Sequence, residues 1–257
     1  MVRRVKLYSR RLPRGYDEQT YASPYRIVRY PHQARYKMAT DFLLDANPSS
    51  VLDYGAGDGH LFRDAFSRGF GAASIVAYEP VEEYANKLRS TIAAVGRQDQ
   101  AVVCTVRDDI PAHGPYEIIM CLGVLEHMPI NERFAFYEVC EESLAPGGLI
   151  VIDVPIEVGP TLLVKECVRI ALKGRSREYS WPALFRAGLG AITYDPARFD
   201  PLDGRSWINS HRGFDYRLLR QELAARFVVV RERCTPVSWL PASVGNQDVF
   251  FTVALRT

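Results

Sequence analysis

The chain has 257 residues, of which 47% are hydrophobic and 24% charged, and its formal net charge is +2. That length and apolar content provide for one large α/β core and make a second full domain unexpected. No apolar stretch approaches the twenty or so residues that cross a bilayer, and the near-neutral balance argues neither for nor against nucleic acid.

In chain order, Met1-Val2-Arg3-Arg4-Val5-Lys6 carries positive charge with no apolar stretch behind it, so no secretion signal is expected. Arg3, Arg4, Arg10, Arg11, Arg14, Arg26 and Arg29 interleave with Tyr16, Tyr21, Tyr25, Tyr30 and Tyr36. This reads as a basic tail or lid, and such a face is also one that meets phosphates. A helix is predicted from Arg35 to Leu44, so residues 1–48 form an N-terminal lid and helix and 49–257 the main domain.

Val51 to Tyr54 is a short apolar strand that runs through Asp53 into Gly55-Ala56-Gly57-Asp58-Gly59. Glycines allow positive φ and close approach of a ligand to the backbone, while the helix predicted next (Leu61, Phe62, Ala65, Phe66) directs its first N–H groups at it. A second strand, Ala73 to Tyr78, ends at Glu79-Pro80. Glu79 stands about twenty residues beyond the glycines, where Rossmann-like proteins place the carboxylate that accepts from the ribose hydroxyls. The alternative is a surface Glu capping the helix that starts near Val81. The third strand, Ala101 to Val106, leads to Asp108 and Asp109, and the fourth, Tyr116 to Leu122, leads to Gly123-Val124-Leu125-Glu126-His127. A helix ending in Leu144-Ala145-Pro146-Gly147-Gly148 precedes the fifth strand, Leu149 to Pro155.

These spacings resemble the class I S-adenosylmethionine-dependent methyltransferases of small-molecule type, strongly over Val51 to Pro155 and more loosely over Ser210 to Thr257. The resemblance implies an α/β fold, a Rossmann-like seven-stranded mostly parallel sheet with helices on both faces, and S-adenosylmethionine as cofactor. In that family the glycine turn (Gly55, Ala56, Gly57, Gly59) touches the methionine part and Asp53 orients its ammonium. Glu79 with Pro80 would take the ribose. Asp108 or Asp109 would take the adenine amino group, unless both are solvated turn carboxylates, and Leu122 completes the cofactor set. Glu117 stands where the family often has Asp.

Between Pro155 and Ser210 the chain departs from a minimal fold. Residues at about 156–210 form an inserted cap that carries Tyr179, Trp181, Phe185, Tyr194, Phe199 and Trp207. Open α/β sheets bind ligands at the carboxyl ends of their strands, so an insertion leaving the fifth strand hangs over the site. Its first part, Thr161 to Lys173, reads as an amphipathic helix packed on the enzyme, with a membrane-surface or dimer helix as the other reading. His211-Arg212-Gly213-Phe214-Asp215 then opens a helix (Leu218, Leu219, Leu223), and strands follow over Phe227 to Val230 and Val249 to Leu255.

The sulfonium makes the methyl group electrophilic, so the protein must align a nucleophile and, for a hydroxyl, remove its proton. His127 is the first candidate base, with Glu126 beside it. Their other reading is as capping and packing residues of the next helix. His211 is second and Asp153 third, while His60 is expected to pack beside the glycine turn. No pair of His, Asp or Cys has metal-ligand spacing, so no metal is expected. Cys104, Cys121, Cys140, Cys167 and Cys234 are scattered and read as buried free thiols of a reducing, cytoplasmic compartment.

An Asn/Asp-Pro-Pro-aromatic turn for base amines is missing, since Cys121-Leu122-Gly123-Val124 stands there, and so is a Pro-Cys nucleophile. The expected partner is therefore a small-molecule or glycan acceptor rather than nucleic acid, methylated at oxygen. N-methylation of a small molecule and a non-catalytic cofactor-binding scaffold are the alternatives. A nicotinamide-dependent oxidoreductase is disfavoured, because GxGxG with Asp53 is the wrong turn.

Overall fold

The computed structural model describes residues 25–72, 74–173, 179–191, 198 and 207–256. The expected lid in residues 1–24 lies outside them. Seven strands form one sheet in the order β3-β2-β1-β4-β5-β7-β6. Its strands are β1 (Ser50–Tyr54), β2 (Ser74–Tyr78), β3 (Ala101–Cys104), β4 (Tyr116–Leu122), β5 (Leu144–Pro155), β6 (Val228–Thr235) and β7 (Asp248–Ala254). The first five pair in parallel, and β7 lies antiparallel between β5 and β6. Parallel strands covered on both faces read as continuous apolar runs, and Ile118 to Leu122 are all buried. The exception, Glu117, accepts from the Ser49 backbone N–H (2.8 Å) and hydroxyl (2.7 Å), tying the entry of β1 to β4.

Helices α1 (Arg26–Ala46), α2 (His60–Ser67), α3 (Glu82–Ala94), α4 (Ile130–Ser143), α5 (Pro160–Lys173), α6 (Trp181–Gly188) and α7 (Tyr216–Arg226) complete the described fold. One core layer gathers Phe62, Leu43, Val51, Leu88 and Met120, and the other Tyr54, Phe136, Ile152, Leu219 and Phe251. Burying each such side chain stabilises by about 1.5–3 kcal/mol. Chain order reverses between β2 and β4 on either side of β1. The carboxyl ends of β1 and β4, where the glycine turn sits, are thus the switch point at which sheets of this kind bind ligands.

Several boundaries differ from expectation. Helix α1 begins at Arg26 rather than Arg35 and carries Pro31 inside. Its buried stripe runs Pro31, Arg35, Ala39 and Leu43, and the Pro and Arg in its first half carry no apolar helix signal to read. Strand β6 continues past Val230 through Arg231-Glu232-Arg233, whose side chains are exposed. An edge strand covered on neither face at those positions has no alternation to read. The expected third strand stops at Cys104.

Of the cap, α5 and α6 lie within the described residues. Leu162, Tyr179, Leu184 and Ala187 form their small core. Gly188 lets the helices meet, since a Cβ there would stand 2.5 Å from the Leu163 side chain. The start of α5 is fastened to the loop before β7, because the Thr161 hydroxyl donates to the Ser243 carbonyl (2.8 Å) and accepts from the Gly245 N–H (3.1 Å). Four cysteines are buried as expected, whereas Cys167 is exposed on α5. No helix among the described residues is long and apolar enough to cross a membrane.

Candidate active site

Strand β1 delivers the chain to the glycine turn. Gly55, Gly57 and Gly59 have φ of +82°, +59° and +83°, and the N–H groups of Gly55 and Ala56 donate to the Tyr78 carbonyl at 2.8 and 2.9 Å. A Cβ on Gly55 would fall 2.5 Å from Val124, whereas one on Gly57 would meet nothing within 4 Å. The turn is thus closed against β4 at Gly55 and open at Gly57, where a ligand can approach.

Glu79 is buried beside it. Its Oε2 accepts from the Gly57 N–H (3.0 Å) and its Oε1 from the Val81 N–H (2.9 Å). It therefore holds the N–H just ahead of α3 and the glycine turn together, as a buried carboxylate and not as a surface cap. Burial raises its carboxyl, opposed by the two backbone N–H groups. Asp53, next to the end of β1, is pushed up to about 7 by burial and then by the charge of Glu79. Pro80, Asp108 and Asp109 are exposed, the two Asp residues in a single turn after β3. Ile110 is wholly buried in the core.

Leu122 ends β4, and Gly123 follows with φ of +68°. A Cβ on Gly123 would lie 3.1 Å from Nη1 of Arg35, so this turn is packed against a guanidinium from α1. Arg35 also approaches Asp153 (Nε to Oδ2, 3.5 Å), which is wholly buried. Burial pushes the Asp153 carboxyl well up, Asp248 adds to this and Arg35 opposes it. Enclosed in this way, Asp153 is not placed to take a proton from an acceptor, contrary to its ranking as a candidate base.

Glu126, His127 and His211 come together although His211 lies far along the chain. His127 Nδ1 is 2.7 Å from the Ile208 carbonyl, and His211 Nδ1 is 3.3 Å from Glu157 Oε1. Both contacts are to acceptors, which assigns the proton of each neutral ring to Nδ1. The two Nε2 atoms face each other at 3.3 Å, and Glu126 Oε1 is 3.9 Å from Nε2 of His127. Glu126 is buried, with one oxygen lacking a hydrogen-bond partner among the described residues. Burial raises its carboxyl, against the pull of His211, Arg35 and Arg198. Glu157 is also buried, which by itself raises a carboxyl, but Lys165 (2.8 Å), His211 and Arg169 outweigh this and the net shift is downward.

Arg198 pins the two histidine loops. It donates to the main-chain carbonyls of Glu126, Ser210 and Arg212 and lies over the Phe214 ring at 5.7 Å. Sequence reasoning missed it, because main-chain acceptors carry no residue identity. Glu157 and the guanidinium of Arg35 at Gly123 were missed for a related reason, since their partners lie on other elements. Replacing the buried Arg198 by Met is expected to lower unfolding free energy by about 3 kcal/mol or more, since three charge-assisted hydrogen bonds are lost. Denaturant unfolding checks this, and a change below about 1 kcal/mol would contradict the pinning role.

The cap residues divide. Trp207 stacks on His127 (centroids 4.5 Å apart, 18° between planes) and stays half exposed, whereas Tyr179 is buried in the cap core. Trp181 and Phe185 are exposed. Tyr194 and Phe199 lie outside the described residues. His60 packs edge-on against Tyr36 at 4.5 Å, beside the glycine turn as expected.

Residues 29–199 match a protein family described as a methyltransferase domain. N-terminal Xaa-Pro-Lys N-methyltransferase 1 of Ailuropoda melanoleuca is 28% identical over 105 residues, which are 40% of this chain and 46% of that protein. The chain thus spans about half the length of this curated relative. The fold is similar to that of an S-adenosylmethionine-dependent methyltransferase from Clostridium acetobutylicum ATCC 824, with TM-score 0.56 and 11% identity over 94% of this chain and 96% of that one. It is also similar to magnesium protoporphyrin IX methyltransferase from Synechocystis PCC 6803 with bound S-adenosylhomocysteine. There the TM-score is 0.55, with 15% identity over 89% of this chain and 85% of that one.

Proposed function

The chain belongs to the methyltransferase-domain family, and on that footing we propose that it transfers the methyl group of S-adenosylmethionine to a hydroxyl of a small hydroxylated or glycan acceptor. One observation carries the choice of oxygen: His127, in the turn that follows the carboxyl end of β4, faces His211 with their Nε2 atoms 3.3 Å apart. In the transfer the acceptor oxygen forms a bond to the methyl carbon while the carbon–sulfur bond breaks and its electron pair stays on sulfur. The hydroxyl proton must leave, and His127 and His211, with Glu126, make up the group that lowers the cost of its departure.

The cofactor rests on the turn from Gly55 to Gly59, with its ammonium toward Asp53 and its ribose on Glu79. Leu122 faces the cofactor, Pro80 flanks it, and Asp108 or Asp109 takes the adenine amino group. Glu79 would exchange its contacts to the Gly57 and Val81 N–H groups for, or share them with, the ribose hydroxyls. Each hydrogen bond to a charged group contributes about 1.5–3 kcal/mol, so Glu79→Ala is expected to weaken S-adenosylhomocysteine binding by at least about tenfold. Calorimetry on the folded variant checks this, and an unchanged dissociation constant would refute the ribose role.

Trp207, held flat on His127 and half exposed, offers a face on which a sugar or aromatic ring can stack. The curated relative's name favours a second reading, methylation of a nitrogen such as a peptide N-terminus. Transfer of labelled methyl from S-adenosylmethionine to parallel panels of glycosides, phenols, amines and N-terminal peptides separates the two. Label confined to the amines or peptides would overturn oxygen methylation, and no label in any panel with cofactor bound would favour a binding scaffold.

A further inference from the structure

We infer that Glu126, His127 and His211 form a binding site for one divalent first-row transition-metal ion on the acceptor side of the cofactor cradle. Their three ligand atoms lie within 4.8 Å of one another. Each ring turns its Nδ1 to an acceptor, Ile208 O for His127 and the Glu157 carboxylate for His211, so the Nε2 lone pairs converge at 3.3 Å. Two such lone pairs repel unless a cation stands between them. An ion held tetrahedrally at about 2.0–2.1 Å from two imidazole nitrogens sets those nitrogens about 3.3–3.4 Å apart, which is the spacing found.

The carboxylate supplies the third ligand. Glu126 Oε1 stands 3.9 Å from His127 Nε2, and the three ligand atoms span 4.8 Å at their widest, so the carboxylate must swing inward by about an ångström to reach an ion held between the two rings. Its other oxygen is buried without a hydrogen-bond partner among the described residues. Outer contacts of the kind that fix metal-bound imidazoles are already in place: a carbonyl on one ring, a carboxylate on the other, and Arg198 across the Glu126, Ser210 and Arg212 carbonyls. Three protein ligands leave a coordination position open, as catalytic sites do. Two imidazoles and one carboxylate suit zinc, cobalt, iron or manganese better than magnesium, which prefers an all-oxygen shell.

The inference deepens the proposed function and rests on it only for the role of the ion. An acceptor hydroxyl bound at the open position would lose its proton to solvent water, and its oxygen would then attack the methyl carbon as the carbon–sulfur bond breaks.

The test uses the whole chain, stripped with a chelator and titrated with cobalt(II). One equivalent is expected to bind, with the visible ligand-field bands of a four- or five-coordinate ion. His211→Ala and Glu126→Gln are each expected to weaken binding by at least about tenfold, since losing an outer partner alone costs about 10–100-fold and losing a ligand costs no less. Magnesium is expected to bind at least about tenfold more weakly than cobalt. Retained near-native thermal unfolding in either variant separates loss of the site from loss of the fold. No stoichiometric cobalt binding, or binding unchanged in both variants, would overturn the site and leave a proton as the group between the rings. Methyl transfer is scored separately. Stoichiometric cobalt without transfer to any acceptor upholds the site and removes the methyltransferase reading, whereas transfer by chelator-stripped protein that binds no cobalt upholds that reading and removes the site.

Discussion

Replacing His127 by alanine is expected to cut the rate of methyl transfer by about 100- to 10,000-fold while S-adenosylhomocysteine binds as before. The imidazole follows β4 at its carboxyl end, and its Nδ1 is held by the Ile208 carbonyl at 2.7 Å, so Nε2 is fixed in direction toward His211. A group that stabilises only the departing proton, or a cation at the same point, acts in the transition state and not in cofactor binding. The split between turnover and cofactor affinity is the informative readout. Because Trp207 stacks on this ring, the acceptor's Michaelis constant should rise as well. Unchanged turnover in the folded variant would leave alignment as the mechanism and remove the histidine from it.

Replacing Glu157 by leucine is expected to destabilise the fold by about 3–5 kcal/mol, the cost of breaking a buried ion pair and leaving its partners without compensation. The carboxylate is wholly buried, with Lys165 at 2.8 Å, His211 at 3.3 Å and Arg169 at 3.8 Å. Its folded pKa is depressed below that of the unfolded chain. The stability it contributes is therefore fully present above the unfolded carboxyl value of about 4.3 and is lost as pH falls below it toward the folded value. Denaturant unfolding between pH 7 and pH 3 should show the wild type losing more stability than the variant as pH falls. Parallel curves for the two proteins would contradict the assignment.

Much of the proposed cofactor cradle was legible because its signals are local. Asp53, the alternating glycines and Glu79 lie within one strand–turn–helix–strand unit, where backbone geometry itself demands particular residues: only a glycine fits at Gly55 with φ of +82° and Val124 at 2.5 Å from a Cβ position. The sheet was legible for the same reason, since its parallel strands are buried on both faces and appear as apolar runs. Where burial fails, legibility fails with it, as where β6 runs on through exposed Arg231-Glu232-Arg233; in the first turns of α1 the buried positions are Pro31 and Arg35, which give no apolar helix signal.

The acceptor side is a different matter. His127 and His211 each stood out as a candidate base, but nothing in spacing joins residues 84 apart, and an expectation of no metal followed from that spacing. Bringing them together takes the return of the chain from the cap, which Arg198 holds through main-chain carbonyls. The same packing turned Asp153 from a candidate base into a buried partner of Arg35 and placed Glu157 behind His211. The sequence by itself determined the parallel sheet, the glycine turn and the carboxylates around it, because those depend on contacts within a few tens of residues. Only the tertiary structure decided which imidazoles meet and in which direction each buried carboxyl is shifted, because desolvation and long-range pairing are properties of the packed chain and not of any segment of it.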